Sequence, residues 1–245
     1  CMYDSRYAKG WSSATTAPQR DFCKELTDAV RKRDMKMCMY YSLTEWTNPL
    51  YRWTVDTLKS IDEYVEKHLH PQFKEMVDMF SPSLVFSDGD WDFDYKTFKS
   101  DELVSYYFDK VGEEAIVNDR WGGGFDYGYV TPEYSEAIKQ TERPWAECRG
   151  LSRSYGLNRN ADLESYLTSE ELIRHFVRLV AAGGGLTINV GPAADGSIPL
   201  LQQERLSDLG QWLEINGEAI YGCTTFTKSE ESYDVLLPRA DKQID

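Results

Sequence analysis

The sequence predicts an α/β protein, a (β/α)8-like (TIM-type) barrel that is incomplete at its N-terminus. Three observations predict it. Segments of helical period alternate with short apolar runs of strand length at least four times, the order of parallel βαβ units. Polar and aromatic residues gather directly after the strands, as they do on the catalytic face of a barrel. No strand is followed by GxGxxG or GxxxxGK(S/T), which an open nucleotide-binding sheet would carry. The glycine triplets at 122–124 and 183–185 lack either spacing and read as turns.

Taken in order, residues 1–18 read as loop. Arg20–Arg33 reads as a helix, with Phe22, Leu26, Ala29 and Val30 on one face and Arg31, Lys32 and Arg33 at the end that favours cations. Met35–Leu43 is a strand tipped by Thr44-Glu45-Trp46. A loop or short helix over Tyr51–Ile61 leads to a helix over Asp62–Phe80, whose inner face is Tyr64, Leu69, Phe73, Met76 and Val77. Leu84-Val85-Phe86 opens the next strand, which runs into Ser87-Asp88-Gly89-Asp90-Trp91. A helix over Asp101–Val111 and a short strand over Ala115–Val117 come next. After the polar, aromatic loop 125–144, Pro144–Cys148 is a strand tipped by Glu147. Ser169 is the expected N-cap of a helix reaching Ala182, Leu186–Val190 is a strand, and Pro199–Asn216 is the last helix, carrying Leu200, Leu201, Leu206, Leu209 and Trp212.

The bulk numbers bound the function. A length of 245 residues suits one barrel domain. A net charge of −14 argues against nucleic acid or an anionic membrane as partner. No apolar run reaches transmembrane length, and no signal peptide is visible. The chain starts at Cys1 within a motif and reads as a fragment. The five cysteines have no metal-like spacing, and several are expected as buried thiols.

Chemistry narrows to carboxylates. HExxH, GxSxG and clustered Cys/His ligands are missing from the sequence, and His68, His70 and His175 fall inside helices. Asp88 and Glu147 end different strands, and a barrel can bring two such tips together. Two carboxylates are what glycoside hydrolysis needs, one as nucleophile or base and one as acid. The plainer alternative for Asp88 is an acidic turn after a core strand.

A series of motifs then takes over: YYSLTEWTNPLY (Tyr40–Tyr51), HPQFKEMV (His70–Val77), FSDGDW (Phe86–Trp91), VNDRWG (Val117–Gly122), TPEY (Thr131–Tyr134), PWAECRG (Pro144–Gly150), INVGPAADGSIP (Ile188–Pro199) and NGEAIYG (Asn216–Gly222). In this order they resemble the retaining α-L-fucosidases of glycoside hydrolase family 29. The resemblance implies a (β/α)8-like catalytic barrel over residues 1–225, with 226–245 a linker or the start of a C-terminal β-sandwich. It implies Asp88 as nucleophile and Arg120 in the active-site surroundings. A tyrosine of the YYS motif should lie near the nucleophile, Tyr41 in preference to Tyr40. Trp46 and Trp91 are candidates for sugar contact, with core packing the alternative. Many relatives read W-E-x-C where this chain has Trp145-Ala146-Glu147-Cys148, so the acid/base is expected at the adjacent Glu147, with Glu133 and Glu142 as alternatives. The activity implied is hydrolysis of terminal α-L-fucosides by double displacement, with transfucosylation or a catalytically impaired fucose-binding barrel as rivals. The partner is a fucosylated oligosaccharide or glycoconjugate, no metal or organic cofactor is implied, and the compartment is secreted, periplasmic or lysosome-like.

Overall fold

The computed structural model describes residues 1–51, 60–135 and 142–225; the element expected over Tyr51–Ile61 and the segment 226–245 fall mostly or wholly outside them. The chain divides into two compact units, one over Cys1–Thr131 and one beginning at Pro132.

In the first unit helix α1 spans Phe22–Arg31. The Asp21 carboxylate caps it, accepting from the Lys24 N–H at 2.8 Å, and Arg31 stands in its last turn, each where the helix dipole favours its charge. Strands β1 (Cys38–Ser42), β2 (Leu84–Asp88) and β3 (Ile116–Val117) form a parallel sheet in that order. The register sets Tyr40 beside Phe86 and Ser42 beside Asp88. β3 pairs only with Leu84 and Val85.

Parallel neighbours need long crossovers, and helices supply them. The crossover from β1 to β2 contains α2 (Asp62–Tyr64), a π-helical turn (Val65–Leu69) and α3 (His70–Phe80), all within the one helix expected from the sequence. Its expected inner face is buried, and His68 and His70 are buried with it. From β2 to β3 the chain passes through α4 (Tyr95–Phe98) and α5 (Ser100–Val111). Side chains alternate across the sheet. Met39, Tyr41, Val85 and Val117 join the core with Phe73, Leu103 and Tyr107, whereas Tyr40, Phe86 and Asp88 lie on the other, more open face.

The second unit is built on β4 (Ala146–Gly150) and β5 (Gly185–Asn189), parallel to each other and joined through α6 (Ser169–Ala181). The N-cap of α6 is Thr168, not Ser169: Thr168 and Glu171 form a reciprocal capping box. Ser169 instead begins the helix and donates its hydroxyl to Asp208 on α7 (Leu200–Asn216). At the other end Gly183, at φ +83°, donates to Val180 O, and Gly184 donates to Leu179 O, each at 2.9 Å. These bonds close the helix in a Schellman motif. A Cβ on Gly184 would stand 2.3 Å from the Trp145 ring, so that glycine also lets β5 approach β4. Of the face expected on α7, Leu201, Leu206, Leu209 and Trp212 are half-buried, whereas Leu200 is 80% exposed. The buried residue is Gln202, which accepts from the Gly191 N–H at 2.9 Å.

The described strands form sheets of three and two, and a closed barrel is not among them. No helix among the described residues is long and apolar enough to cross a membrane. The five cysteines are free, and Cys148 alone of them is buried, which corrects the expectation of several buried thiols.

His70 gives the first unit a pH dependence. Its Nε2–H donates to Phe98 O at 2.9 Å. Burial, with smaller contributions from Lys74 and Lys99, outweighs that bond and Glu102 and holds the imidazole pKa below its ordinary value. The folded state therefore binds fewer protons than the unfolded one. The contribution is present above the unfolded imidazole value, about 6.5, and is lost as pH falls through the folded value. In a full-length protein carrying this chain, the unfolding midpoint should drop from pH 7 to pH 5, and His70→Gln should flatten that drop. An unchanged slope in the variant would contradict the assignment.

Candidate active site

β2 ends on Asp88, and its carboxylate has two partners. Arg120 Nη1 donates to Oδ1 at 3.0 Å and Tyr40 Oη donates to Oδ2 at 2.5 Å. The bond from Arg120 is charge-assisted, and the two donors together fix the direction of the carboxylate. The side chains of Asp88 and Arg120 are 19% and 15% exposed, so the pair is sheltered yet reachable.

Each partner is itself held. Tyr40 stacks on Phe86, its neighbour in register, with ring centroids 6.0 Å apart, and the Arg120 guanidinium lies 5.2 Å from the same Phe86 ring. Arg120 Nε donates to Thr131 Oγ1 at 2.8 Å and Nη2 to Thr131 O at 2.9 Å. Thr131 in turn donates its hydroxyl and its amide to Asp119 at 2.7 and 3.1 Å. Asn118, fully buried, fixes the strand itself: its Oδ1 accepts from the Ser87 N–H at 2.9 Å and its Nδ2 donates to Ser87 O at 2.8 Å. Gly89 then turns the chain at φ +75°, where a Cβ would lie 2.8 Å from Thr44 Oγ1.

The expected site residues separate at this point. Asp88 and Arg120 are together. Tyr41 is not with them: it points to the opposite face, donates to Gln72 Oε1 at 3.1 Å and packs on Phe73 with centroids 5.2 Å apart. Burial pushes its hydroxyl pKa well up, so Tyr41 is a core residue and Tyr40 is the tyrosine at the carboxylate. Trp46 and Trp91 are each 61% exposed, in the loops after β1 and β2, which rules out the core-packing alternative. Two of the three other acids of the Asp88 stretch have partners of their own. Asp92 accepts from Tyr51 Oη at 2.5 Å, and Asp94 caps α4 through the Thr97 N–H at 2.8 Å. Burial outweighs the backbone amides near Asp90 and raises its pKa.

In the second unit Glu147 is not at a strand tip. It is the second residue of β4 and its side chain is fully buried. Oε1 accepts from the Ser135 N–H at 2.8 Å, and Oε2 accepts from His175 Nε2 on α6. Arg149 Nη1 stands 3.7 Å from Oε1. Of the two alternatives, Glu142 is exposed ahead of β4. Glu133 is exposed as well and bridges in parallel to Cys148 on β4, whose carbonyl accepts from the Tyr155 hydroxyl at 2.9 Å. Burial, with the Glu133 carboxylate, raises the Tyr155 pKa.

Sequence reasoning ranked Tyr40 behind Tyr41 and missed Asn118, Thr131 and Asp119. All four lie in the motifs YYS, VNDR and TPEY, so the motifs marked the region while the pairings needed coordinates.

Known proteins give a consistent comparison. A family model described as alpha-L-fucosidase matches residues 1–218. An alpha-L-fucosidase of Dictyostelium discoideum is 34% identical over 96% of this chain and 52% of its own length. The plasma alpha-L-fucosidase of Homo sapiens is 31% identical over 94% of this chain and 51% of its own length. The chain thus spans about half the length of the curated relatives it matches. Among solved structures, a Thermotoga maritima alpha-fucosidase in complex with a mechanism-based inhibitor superposes with a TM-score of 0.75, at 33% identity over 93% of this chain and 53% of its own. Alpha-L-fucosidase isoenzyme 1 from Paenibacillus thiaminolyticus gives 0.81 at 25% identity, over 94% of this chain and 60% of its own.

Asn118 offers a direct check on the frame. Asn118→Ala leaves the buried Ser87 amide without its acceptor, so chemical denaturation of the full-length protein should show a loss of about 1–3 kcal/mol. Unchanged stability would mean that the backbone of β2 is held by other groups.

Proposed function

This chain belongs to the alpha-L-fucosidase family, and from that premise we propose that it supplies the nucleophile of an exo-glycosidase that hydrolyses terminal α-L-fucosides with retention. The strands β1 to β5 are read as part of a (β/α)8-like barrel over residues 1–225. Parallel strands joined by helices support the barrel.

One observation carries the mechanism: a sheltered carboxylate at the end of a parallel strand, fixed by an arginine and a tyrosine. In the first step Asp88 attacks the anomeric carbon while an acid protonates the departing oxygen. In the second, the conjugate base takes a proton from water, which attacks the same carbon and releases Asp88. Arg120 and Tyr40 orient Asp88, and Trp46 and Trp91, in the loops after the strands, are read as sugar contacts.

The acid/base falls to Glu133 rather than Glu147. A group that exchanges protons with a leaving oxygen and then with water must reach them. Glu147 is enclosed, with both carboxylate oxygens engaged inside its own unit. Glu133 is exposed, on the segment alongside β4. Neither step uses a metal or an organic cofactor. The substrate class is a fucosylated oligosaccharide or glycoconjugate. Relatives named as plasma and tissue alpha-L-fucosidases support a secreted or lysosome-like setting.

In the full-length protein, Asp88→Gly should reduce turnover of an aryl α-L-fucoside by several orders of magnitude, and added azide should restore consumption and yield the β-fucosyl azide. Tyr40→Phe should lower kcat, while Tyr41→Phe should lower stability instead. Unchanged turnover in Asp88→Gly would overturn the assignment.

A further inference from the structure

Glu147 is a fully buried carboxylate that a reaction run by Asp88 and Glu133 leaves without a step. Burying an unpaired charge is costly, so what pairs it states what it does. Oε2 meets His175 Nε2, which ties β4 to α6. Oε1 accepts from the Ser135 N–H at 2.8 Å, which ties β4 to the segment just ahead of it. Arg149 Nη1 approaches both groups, 3.7 Å from Glu147 Oε1 and 3.2 Å from His175 Nε2.

Ser135 is two residues from Glu133, and the segment between them lies along β4. Cys148 N donates to Pro132 O at 2.8 Å and Tyr134 N donates to Cys148 O at 3.3 Å. The Tyr134 hydroxyl accepts from the Gly150 N–H at 3.0 Å, and the Tyr134 ring packs against Tyr155 with centroids 5.2 Å apart. The hydroxyl of that same Tyr155 donates to Cys148 O at 2.9 Å. Strand pairing thus fixes the segment at Pro132 and Tyr134, and the Glu147 carboxylate fixes its far end at Ser135.

We propose that Glu147 and His175 are positioning residues: together they latch the Pro132–Ser135 segment to β4 and α6 and so set where the Glu133 carboxylate stands. This inference rests on the reading of Glu133 as acid/base. His175 lies in the middle of a helix, where nothing in the sequence links it to chemistry. The local sequence fits, because Ala146 provides no carboxylate and Glu147, one residue along the strand, faces inward.

The test uses the full-length protein with Glu133→Ala, Glu147→Ala, Glu147→Gln and His175→Ala. It compares aryl α-L-fucosides bearing good and poor leaving groups, with and without azide. Loss of the acid/base leaves the good leaving group reactive and lets azide restore turnover as the α-fucosyl azide, which is the result expected for Glu133→Ala. For Glu147→Ala and His175→Ala, a misplaced acid should lower kcat on the poor leaving group by about 10- to 100-fold, with little change on the good one or in KM, and with no azide rescue. Glu147→Gln keeps an acceptor for the Ser135 N–H and should recover part of the loss. Wild-type leaving-group dependence in Glu147→Gln and His175→Ala, beside a rescued Glu133→Ala, removes the latch alone. Azide rescue of Glu147→Ala makes Glu147 itself the acid/base and removes it too. Wild-type rates in Glu133→Ala remove both readings. If Glu147→Ala does not fold, His175→Ala and Glu147→Gln carry the comparison.

Discussion

The pairing of β2 with β3 is only two residues long, and Asn118 carries it further. Beyond Val117 the two backbones no longer pair, yet Asp88 must sit at a defined height at the end of β2. The Asn118 amide stands in for a backbone unit, giving Ser87 both an acceptor and a donor. Because the amide is fully buried, leaving either bond unmade carries a desolvation penalty, so the arrangement is strongly enforced. The two residues after Asn118 then fall where they are needed: Asp119 binds Thr131, Thr131 orients the Arg120 fork, and Arg120 meets Asp88. A planar guanidinium with two of its nitrogens committed to one residue offers the third in a fixed direction, which a lysine could not do.

The second unit uses the same economy with a different group. There the buried element is a charge rather than an amide, and its partners come from a helix and a loop amide. A buried carboxylate of this kind is weak evidence for stability but a strong constraint on geometry, because removing either partner leaves a charge without compensation. This gives the proposed division of labour: carboxylates that do chemistry stay reachable, and the enclosed one sets positions. Trp145 packing against Gly184 brings β4 and β5 to the spacing at which Glu147 meets α6.

Much of this was legible in the sequence, and the limits were physical. Strand β2 and the choice of Asp88 came from an apolar run ending in a motif, because burial and sequence period agree there. The tyrosine could not be chosen that way. Tyr40 and Tyr41 are adjacent in a strand, so they face opposite ways, and composition cannot say which face holds the core. The same parity problem separates Ala146 from Glu147. Thr168 and Ser169 are both able to cap, and only the reciprocal bond from Glu171 selects Thr168. In α7 the expected face is half-buried apart from Leu200, and the fully buried residue is one the period does not mark: Gln202, which accepts from the Gly191 amide. Sequence period marks where apolar side chains could go; it carries no record of which backbone groups are left to be satisfied.

In the proposed mechanism Asp88 forms the covalent bond. The most direct measurement is to treat the full-length protein with a 2-deoxy-2-fluoro-fucosyl fluoride, digest it, and locate the added sugar by mass spectrometry. The account predicts a single adduct on the Asp88 carboxylate. An adduct on another carboxylate, or rapid turnover with no adduct at all, would contradict it.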